Sequence, residues 1–352
     1  ASMATRRDMI LTLVFLKFIG EKFYKQREKI VADMAARKLP PERFIEMPSF
    51  YQRDGVFYLP EECRWEVLLS TDSAKLPLTI DLMAANLDST IESLKGALPL
   101  KLFTDSRVEG KTIKALIDEI NKISEERFHE KDLIGRVYEY FLQAFSINAD
   151  KEEGEFYTPH SIVELICELI EPYDGTIYDP CCGSGGMFVQ ASKFVEAHGG
   201  NTRTIQVYGQ ESQPETFRLA KMNLAVSISY NLGTTATSTF TNDQHPDLKA
   251  NYIMANPPFN LKKWRTANEL LTDYRWAGYG VPPVSNANYA WILHILSKLE
   301  VTNGIAGFLL ANGALDDSDS FEIRRKLLEN DKVEAIIVLP RKMFYSTDIS
   351  VT

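Results

Sequence analysis

Apolar residues in the first third of the chain recur at the spacing of an amphipathic α-helix. Every third or fourth position is apolar within residues 11–18, and charged residues dominate the segment that follows. The same pattern predicts helices over residues 8–38, 78–94 and 112–123. We therefore predict a mainly helical N-terminal domain over residues 1–128.

Beyond this region, short apolar runs alternate with helical segments, which is typical of βα units and a parallel sheet. The predicted strands are 176–179, 205–209, 252–255, 305–311 and 333–339, and the predicted helices are 132–145, 161–170, 187–196, 214–226, 289–299 and 321–330. We therefore predict an α/β domain with a Rossmann-like sheet over residues 129–352.

The apolar run 252–255 ends at an abrupt corner, Asn256-Pro257-Pro258-Phe259. Because proline has no N–H to donate, two consecutive prolines cannot extend a strand. The corner therefore lies at the carboxyl end of a strand, where open α/β sheets bind their ligands. The Asn256 side-chain oxygen and the Pro257 carbonyl are two acceptors beside the ring of Phe259. Such a set suits a planar group with an –NH2, such as an adenine displaced from its stack, although a strand end with a core phenylalanine gives the same residues.

A second candidate site lies at the first predicted strand of the sheet. This strand ends at Asp179 and leads into a glycine turn, Pro180–Gly186, and then a helix. Strand, glycine turn and helix form the first βα unit of a nucleotide-binding sheet, and Gly183 and Gly185 let the backbone approach a ligand closely. Glu211 follows the second strand and is placed to accept both hydroxyls of a ribose. These features fit a nicotinamide dinucleotide as well as S-adenosylmethionine, so they specify adenosine rather than a reaction.

Two further features leave a functional and a structural interpretation open. Thr158 and Pro159 predict a helix start, with the proline in the first turn and the threonine as its cap. A helix N-terminus preceded by aromatic residues can bind a small anion, but an ordinary capped helix has the same sequence. Lys262, Lys263 and Arg265 follow the Pro-Pro corner and either contact phosphates or form a solvated basic turn.

Composition narrows the choice of partners. The chain has 352 residues, a net charge of −9 and a pI of about 5.3, which does not favour a broad nucleic-acid-binding surface. If DNA is the substrate, a partner should supply most phosphate contacts. The four cysteines lack metal-ligand spacing, and we interpret them as reduced thiols in a cytoplasmic protein. The apolar stretch 9–19 is far shorter than the ~20 residues that a membrane span needs.

The motifs and their order resemble one known family. They are FYTP (156–159), DPCCGSGG (179–186), GQE (209–211), NPPF (256–259), RWAGYGVPP (275–283), SNANYAW (285–291) and LLANGAL (309–315). Over essentially its whole length the chain is similar to the modification (M) subunit of type I restriction-modification systems. These subunits are S-adenosylmethionine-dependent adenine-N6 DNA methyltransferases. The resemblance implies the methyltransferase sheet and the helical N-terminal domain of that family.

The resemblance also implies roles for individual residues. The residues implied to bind S-adenosyl-L-methionine are Glu155, Phe156, Tyr157, Thr158, Pro159, His160, Asp179, Gly183, Ser184, Gly185, Gly186 and Glu211. Asn256, Pro257, Pro258 and Phe259 are implied to form the catalytic set that holds a flipped adenine. Family members usually place an acidic residue before the NPPF strand to face the cofactor adenine. The polar residues of 234–240 are all Ser or Thr here, so Asp243 is the candidate.

The partners implied by the resemblance are double-stranded DNA, a specificity (S) subunit that reads the target, and a second M subunit. Whether a restriction (R) subunit joins them stays open, and the chemistry calls for no metal. Two other functions remain compatible with the motifs. One is methylation of an –NH2 on RNA or on a protein glutamine amide, and the other is a non-catalytic assembly subunit that keeps the fold. A nicotinamide oxidoreductase is disfavoured because it gives Asn256–Phe259 no task.

Overall fold

A computed structural model describes residues 2–123, 158–225, 228–344 and 349–352. These residues form two compact units, one from residues 2–123 and 221–225 and the other from the remainder. The predicted domain boundary after residue 128 and the predicted helix 132–145 lie outside the described residues, and both stay predictions.

The N-terminal unit is helical, as predicted. Its helices are α1 (Met3–Ala36), α2 (Ser49–Gln52), α3 (Trp65–Ser70), α4 (Leu76–Thr90), α5 (Leu102–Asp105) and α6 (Gly110–Asn121). Phe23 of α1 stacks on Tyr51, and the buried Trp65 donates from its indole nitrogen to Asn121 Oδ1 over 2.9 Å. No helix in the described part of the chain is long and apolar enough to cross a membrane.

From residue 158 onward helices and strands alternate. They are α7 (His160–Ile170), β1 (Gly175–Asp179), α8 (Gly186–Ala197), β2 (Ile205–Gly209), α9 (Pro214–Ala225), β3 (Tyr230–Asn231), β4 (Tyr252–Ala255), α10 (Asn288–Lys298), β5 (Ile305–Phe308) and α11 (Phe321–Glu329). Buried apolar residues of β4 and α10, including Ile253 and Ile295, pack together in one core cluster.

Within the described residues, the five strands form a parallel sheet in the order β3-β2-β1-β4-β5. The chain builds outward from β1 to β3, then crosses back to place β4 on the other side of β1. The point where strand order reverses therefore lies between β1 and β4, and this is where an open α/β sheet leaves a crevice for ligands.

A glycine in β5 allows α7 to pack closely on this sheet. A Cβ on Gly307 would lie 2.8 Å from Ile166 Cγ2, well inside van der Waals contact. A larger residue there would force α7 away from the sheet. Since Thr158 lies two residues before His160, the first residue of α7, this packing also sets the position of the segment that enters the site.

One predicted strand is wrong. Residues 333–339 are irregular and mostly exposed, with Val338 59% exposed. A strand needs a hydrogen-bonded neighbour, and this segment has only isolated contacts among the described residues, such as Leu339 N–H to the Val351 carbonyl. The strand predicted over 305–311 is shorter in the structure and ends at Phe308.

Candidate functional site

The carboxyl ends of β1 and β4 lie side by side at the switch point. Tyr178 is in register with Ile253, so the glycine turn after Asp179 and the corner that begins at Asn256 leave the sheet next to each other. On the other side of β1, Asp179 is in register with Gly209 at the end of β2. The two motifs that the sequence singles out, and the Glu211 that follows β2, thus converge at one edge of the sheet.

The glycine turn is a tight loop that ends in a helix N-terminus. Gly183 and Gly185 have φ values of +55° and +79°, in the left-handed region that favours glycine. A Cβ on Gly183 would have no atom within 4 Å among the described residues, so the turn presents bare backbone to open space. This is the surface that a ligand needs in order to approach the backbone.

The Glu211 carboxylate joins this turn to the loop after β2. Its Oε2 accepts from Gly183 N–H over 3.0 Å, and its Oε1 accepts from Ser212 and Gln213 N–H over 2.7 and 2.8 Å. The side chain is therefore held in one orientation at the end of β2. Sequence reasoning placed Glu211 here but did not foresee that it would brace the glycine turn.

Asp179 is buried at the end of β1, and its Oδ1 accepts from Cys181 N–H over 2.9 Å. Burial raises the pKa of this carboxyl to about 7, partly offset by the Cys181 N–H and reinforced by the negative charge of Glu211. The group therefore gains or loses a proton near neutral pH, and a cationic ligand beside it would favour the ionised form.

The raised pKa predicts that Asp179→Asn stabilises the protein more at pH 8 than at pH 5. The folded-state pKa lies above the unfolded value, so stability falls as pH rises from about 4 to 7, because the unfolded chain releases its proton first. Asparagine keeps an acceptor for Cys181 N–H but does not ionise. The gain at pH 8 should be on the order of 4 kcal/mol, measured as a rise in thermal midpoint. The exposed Asp316→Asn is the matched control, and an equal effect of Asp179→Asn at both pH values would contradict the prediction.

Asn256 stands at the start of the corner with its two amide ends in different environments. Its Nδ2 donates to Thr158 Oγ1 over 2.9 Å. Its Oδ1 is buried and has no hydrogen-bond partner among the described residues. A buried acceptor without a donor costs about 1–3 kcal/mol, and such a cost is expected where a ligand supplies the donor.

Phe259 lies half-buried at the end of the corner, and its ring meets that of the buried Phe344 edge to face at 5.7 Å. Asparagines fix the next turn: Asn288 Nδ2 donates to Asn260 Oδ1 over 2.9 Å, and Asn260 N–H donates back to Asn288 Oδ1 over 3.1 Å. Asn286 also donates to Asn260 Oδ1 over 3.1 Å. The SNANYAW segment therefore holds the turn that carries Phe259.

Several predicted positions have other partners. Thr158 does not cap α7, so that prediction is wrong: the N-cap residue is Pro159, and no side chain caps this end among the described residues. The His160 side chain is 59% exposed, and its Nδ1 lies 3.7 Å from Glu164 Oε2. Glu155, Phe156 and Tyr157 lie outside the described residues, and their roles stay predictions.

Asp243, the candidate to face a cofactor adenine, instead pairs with a buried lysine. Its Oδ2 lies 2.5 Å from Lys298 Nζ, which also donates to the carbonyls of His245 and Pro246 over 2.6 and 3.1 Å. Lys298 is fully buried, and a buried ammonium needs a counter-charge and hydrogen-bond acceptors. Asp243 is therefore the counter-charge of Lys298, and no local pattern links these two residues.

The basic residues after the corner differ from one another in burial. Arg265 is buried, and its guanidinium donates to the carbonyls of Thr266 and Pro282, both over 2.9 Å. Its Nη1 and Nη2 donate within the loop and the residue is buried, so neither the phosphate contact nor the solvated turn is supported for Arg265. Lys262 and Lys263 are exposed, which is compatible with both interpretations.

Sequence reasoning missed the polar groups that hydrogen-bond to the glycine turn and to the segment packed against it. Thr239 Oγ1 donates to the Pro180 carbonyl of the glycine turn over 2.5 Å, and Arg275 donates to the Thr239 carbonyl over 3.1 Å. The Gln210 side chain donates to the carbonyl of Asn242, three residues after Thr239, over 2.7 Å. Gln210 and Arg275 both lie in motifs noted above. The one signal in the sequence was an arginine among aromatic residues, which is typical of a buried arginine that donates to nearby carbonyls.

Arg275 also determines the state of a buried histidine. Its Nη1 lies 3.2 Å from His294 Nδ1, and because arginine only donates, the ring proton is on Nε2 and faces Tyr178 Oη at 3.0 Å. Burial, with the charges of Arg275 and Lys298, holds the pKa of His294 well below its usual value. The neutral ring thus fixes Tyr178, the residue before Asp179.

Comparison with known proteins matches both parts of the chain. Residues 129–352 match the family model described as N-6 DNA Methylase, and residues 2–145 match the HsdM N-terminal domain. The MjaIX methylase subunit of Methanocaldococcus jannaschii, a type I restriction enzyme, is 35% identical over 98% of this chain and 64% of its own length. The HindI methylase subunit of Haemophilus influenzae is 46% identical over 62% of this chain and 49% of its own length. The chain thus spans about half to two thirds of these relatives.

A solved structure supports the fold. The methyltransferase subunit of a type I restriction-modification system from Streptococcus thermophilus superposes with a TM-score of 0.77 at 20% identity, covering all of this chain and 80% of that one. The predicted fold class, a methyltransferase α/β sheet with a helical N-terminal region, is confirmed.

Proposed function

The chain belongs to the N-6 DNA methylase family, and on that premise we propose that it is the modification (M) subunit of a type I restriction-modification complex. Its proposed reaction transfers a methyl group from S-adenosyl-L-methionine to the N6 amine of an adenine in double-stranded DNA. The observation that carries the proposal is the buried Asn256 Oδ1, an acceptor without a partner among the described residues, beside the glycine turn at the switch point.

The residues around the glycine turn fit this cofactor. The bare backbone at Gly183 offers room for close approach, and Glu211 is held where ribose hydroxyls would arrive. The buried Asp179 suits a cationic amino group, which would favour its ionised form. The cofactor supplies a methyl group made electrophilic by a sulfonium. We assign cofactor contacts to these residues and to Pro159, Ser184 and Gly186.

The corner prepares the amine for attack. The exocyclic nitrogen of adenine is a poor nucleophile because its lone pair is delocalised into the ring. Asn256 Oδ1 and the Pro257 carbonyl would accept its two N–H groups, favour pyramidal nitrogen and stabilise the positive charge that develops on it. No strong base is needed before attack. The amine must lie within about 3–3.5 Å of the methyl group and in line with its bond.

A base inside a duplex cannot reach this corner, so the target adenine must leave its stack. In the proposed complex, Phe259 stacks on the extracted base while Pro258 keeps the corner rigid. Phe344 buttresses the Phe259 ring from its edge.

The proposed partners follow from charge and from the relatives. A net charge of −9 leaves little capacity to hold DNA phosphates over a broad surface, so other subunits should supply those contacts. We propose a specificity (S) subunit and a second M subunit as constant partners and a restriction (R) subunit as an optional one. The four cysteines have no disulfide, which fits a cytoplasmic setting.

We expect the isolated chain to bind S-adenosyl-L-methionine but to methylate DNA weakly or not at all. The test measures transfer of labelled methyl groups to duplex DNA by this chain, with and without an S subunit, and identifies the product base. N6-methyladenine that forms only in the assembled complex is the expected result. Strong sequence-specific methylation by the chain alone would contradict the need for partners. Label in RNA or protein instead of DNA would contradict the proposed substrate.

A further inference from the structure

We infer that Thr158 is a positioning residue that orients the Asn256 side chain for the reaction, and this inference rests on the proposed function. The hydrogen bond from Asn256 Nδ2 to Thr158 Oγ1, at 2.9 Å, is the contact that distinguishes the two ends of the amide. This hydrogen bond occupies the NH2 end of the amide and leaves Oδ1 as the acceptor for the target amine.

The orientation matters because a carboxamide has a donor end and an acceptor end of nearly the same shape. Rotation by half a turn about its last bond would present NH2 to the adenine amine. Two donors would then face each other, and one of the two hydrogen bonds that activate the nitrogen would be lost. A fixed partner for Nδ2 prevents this.

Thr158 is well placed to act as a rigid partner. Pro159 follows it, and a residue before proline is restricted to extended backbone. α7 begins immediately afterwards and packs closely on β5 at Gly307. The Thr158 hydroxyl makes no cap for α7 but reaches a residue 98 positions away, at the end of β4. The resemblance gave Thr158 a cofactor role, whereas this contact gives it a role toward the base.

The test compares Thr158→Val with Thr158→Ser in the assembled complex. Valine has the shape of threonine without the hydroxyl, whereas serine keeps it. We expect Thr158→Val to lower the single-turnover rate roughly 3- to 10-fold, the scale of one neutral hydrogen bond, and Thr158→Ser to restore most of it. Cofactor affinity should change much less than the rate. The exposed Thr272→Val is the matched control and should leave both unchanged.

The Asn256→Asp variant, used as a second background, separates orientation of the side chain at position 256 from a general structural role of Thr158. Aspartate at position 256 offers an acceptor oxygen at either end, so its orientation no longer matters. Thr158→Val should therefore lose most of its effect in the Asn256→Asp variant. A merely structural role of Thr158 would slow both backgrounds equally.

Three results would overturn the assignment: a wild-type rate in Thr158→Val, a loss of cofactor affinity as large as the loss of rate, or an equal slowing in the Asn256→Asp background. Failure of the proposed function gives a different result, because the wild-type complex itself would then leave DNA unmethylated. Circular dichroism and thermal midpoints of each variant identify any loss of rate that comes from unfolding.

Discussion

Replacing Asn256 by alanine should slow single-turnover methyl transfer by about 10²–10³-fold, the cost of removing one oriented partner of a developing charge. The substitution removes Oδ1, the buried acceptor that has no partner among the described residues, and leaves the Pro257 carbonyl and the Phe259 ring in place. One of two hydrogen bonds to the amine is lost, so the nitrogen stays closer to planar and the positive charge on it is less well stabilised.

Cofactor affinity should stay near the wild-type value, because the proposed role of Asn256 is toward the base. Calorimetric titration with S-adenosyl-L-methionine measures this affinity. Rapid-quench assays with the enzyme in excess over DNA measure the single-turnover rate. The same change at Asn303, an exposed turn residue after α10, is the matched control and should leave the rate unchanged. A loss smaller than about tenfold for Asn256→Ala would mean that this amide does not act on the transition state.

The strands that carry the site were predictable because their signals are local. A short apolar run that ends in two prolines can only be a strand end, and β4 ends at the predicted residue, Ala255. β1 and β2 likewise stop at Asp179 and Gly209, where polar and glycine residues interrupt the apolar pattern. Their convergence also followed, since parallel strands bring their carboxyl ends to one edge of a sheet.

Pairings between distant segments were not predictable in this way. Nothing local to Asp243 indicates that a lysine 55 positions later is buried and needs its charge. Thr158 has the sequence of a helix cap, and a cap and a distant partner compete for the same hydroxyl. Only the packed structure shows that the Thr158 hydroxyl accepts from the Asn256 side chain. The strand expected over 333–339 failed for a related reason, because an apolar run becomes a strand only beside a hydrogen-bonded neighbour.

The structure also explains why two of the motifs occur together. In the proposed reaction NPPF supplies the acceptors and the aromatic ring, but the turn after it needs Asn260 at a φ of +55°, a strained conformation for most residues. Asn288 and Asn286 of the SNANYAW segment satisfy the side chain of that residue. The second motif therefore supports the geometry of the first without touching the proposed substrate.

Phe259→Ala should mainly impair capture of the extracted base, at about 1–3 kcal/mol for one lost stack. The two acceptors at Asn256 and Pro257 remain, so the chemistry of a base that does arrive should be little changed. The loss should appear as weaker binding of target DNA and a rate that recovers at saturating DNA. Phe321→Ala, the same change on an exposed face of α11, is the matched control. Phe259→Tyr keeps a ring of the same size and should retain most of the activity.

A mismatch opposite the target adenine separates the roles of Phe259 and Asn256. Unpairing the base lowers the cost of taking it out of the stack, so it compensates for a defect in capture but not for a defect in activation. Mismatched DNA should therefore rescue much of the Phe259→Ala defect and little of the Asn256→Ala defect, when both are measured as single-turnover rates at the same DNA concentration. The edge contact of Phe259 with Phe344 makes a thermal midpoint necessary for each variant, since loss of packing would lower activity on both substrates alike. Equal rescue of the two variants would show that the residues share one role, and the division between base holding and amine activation would then be wrong.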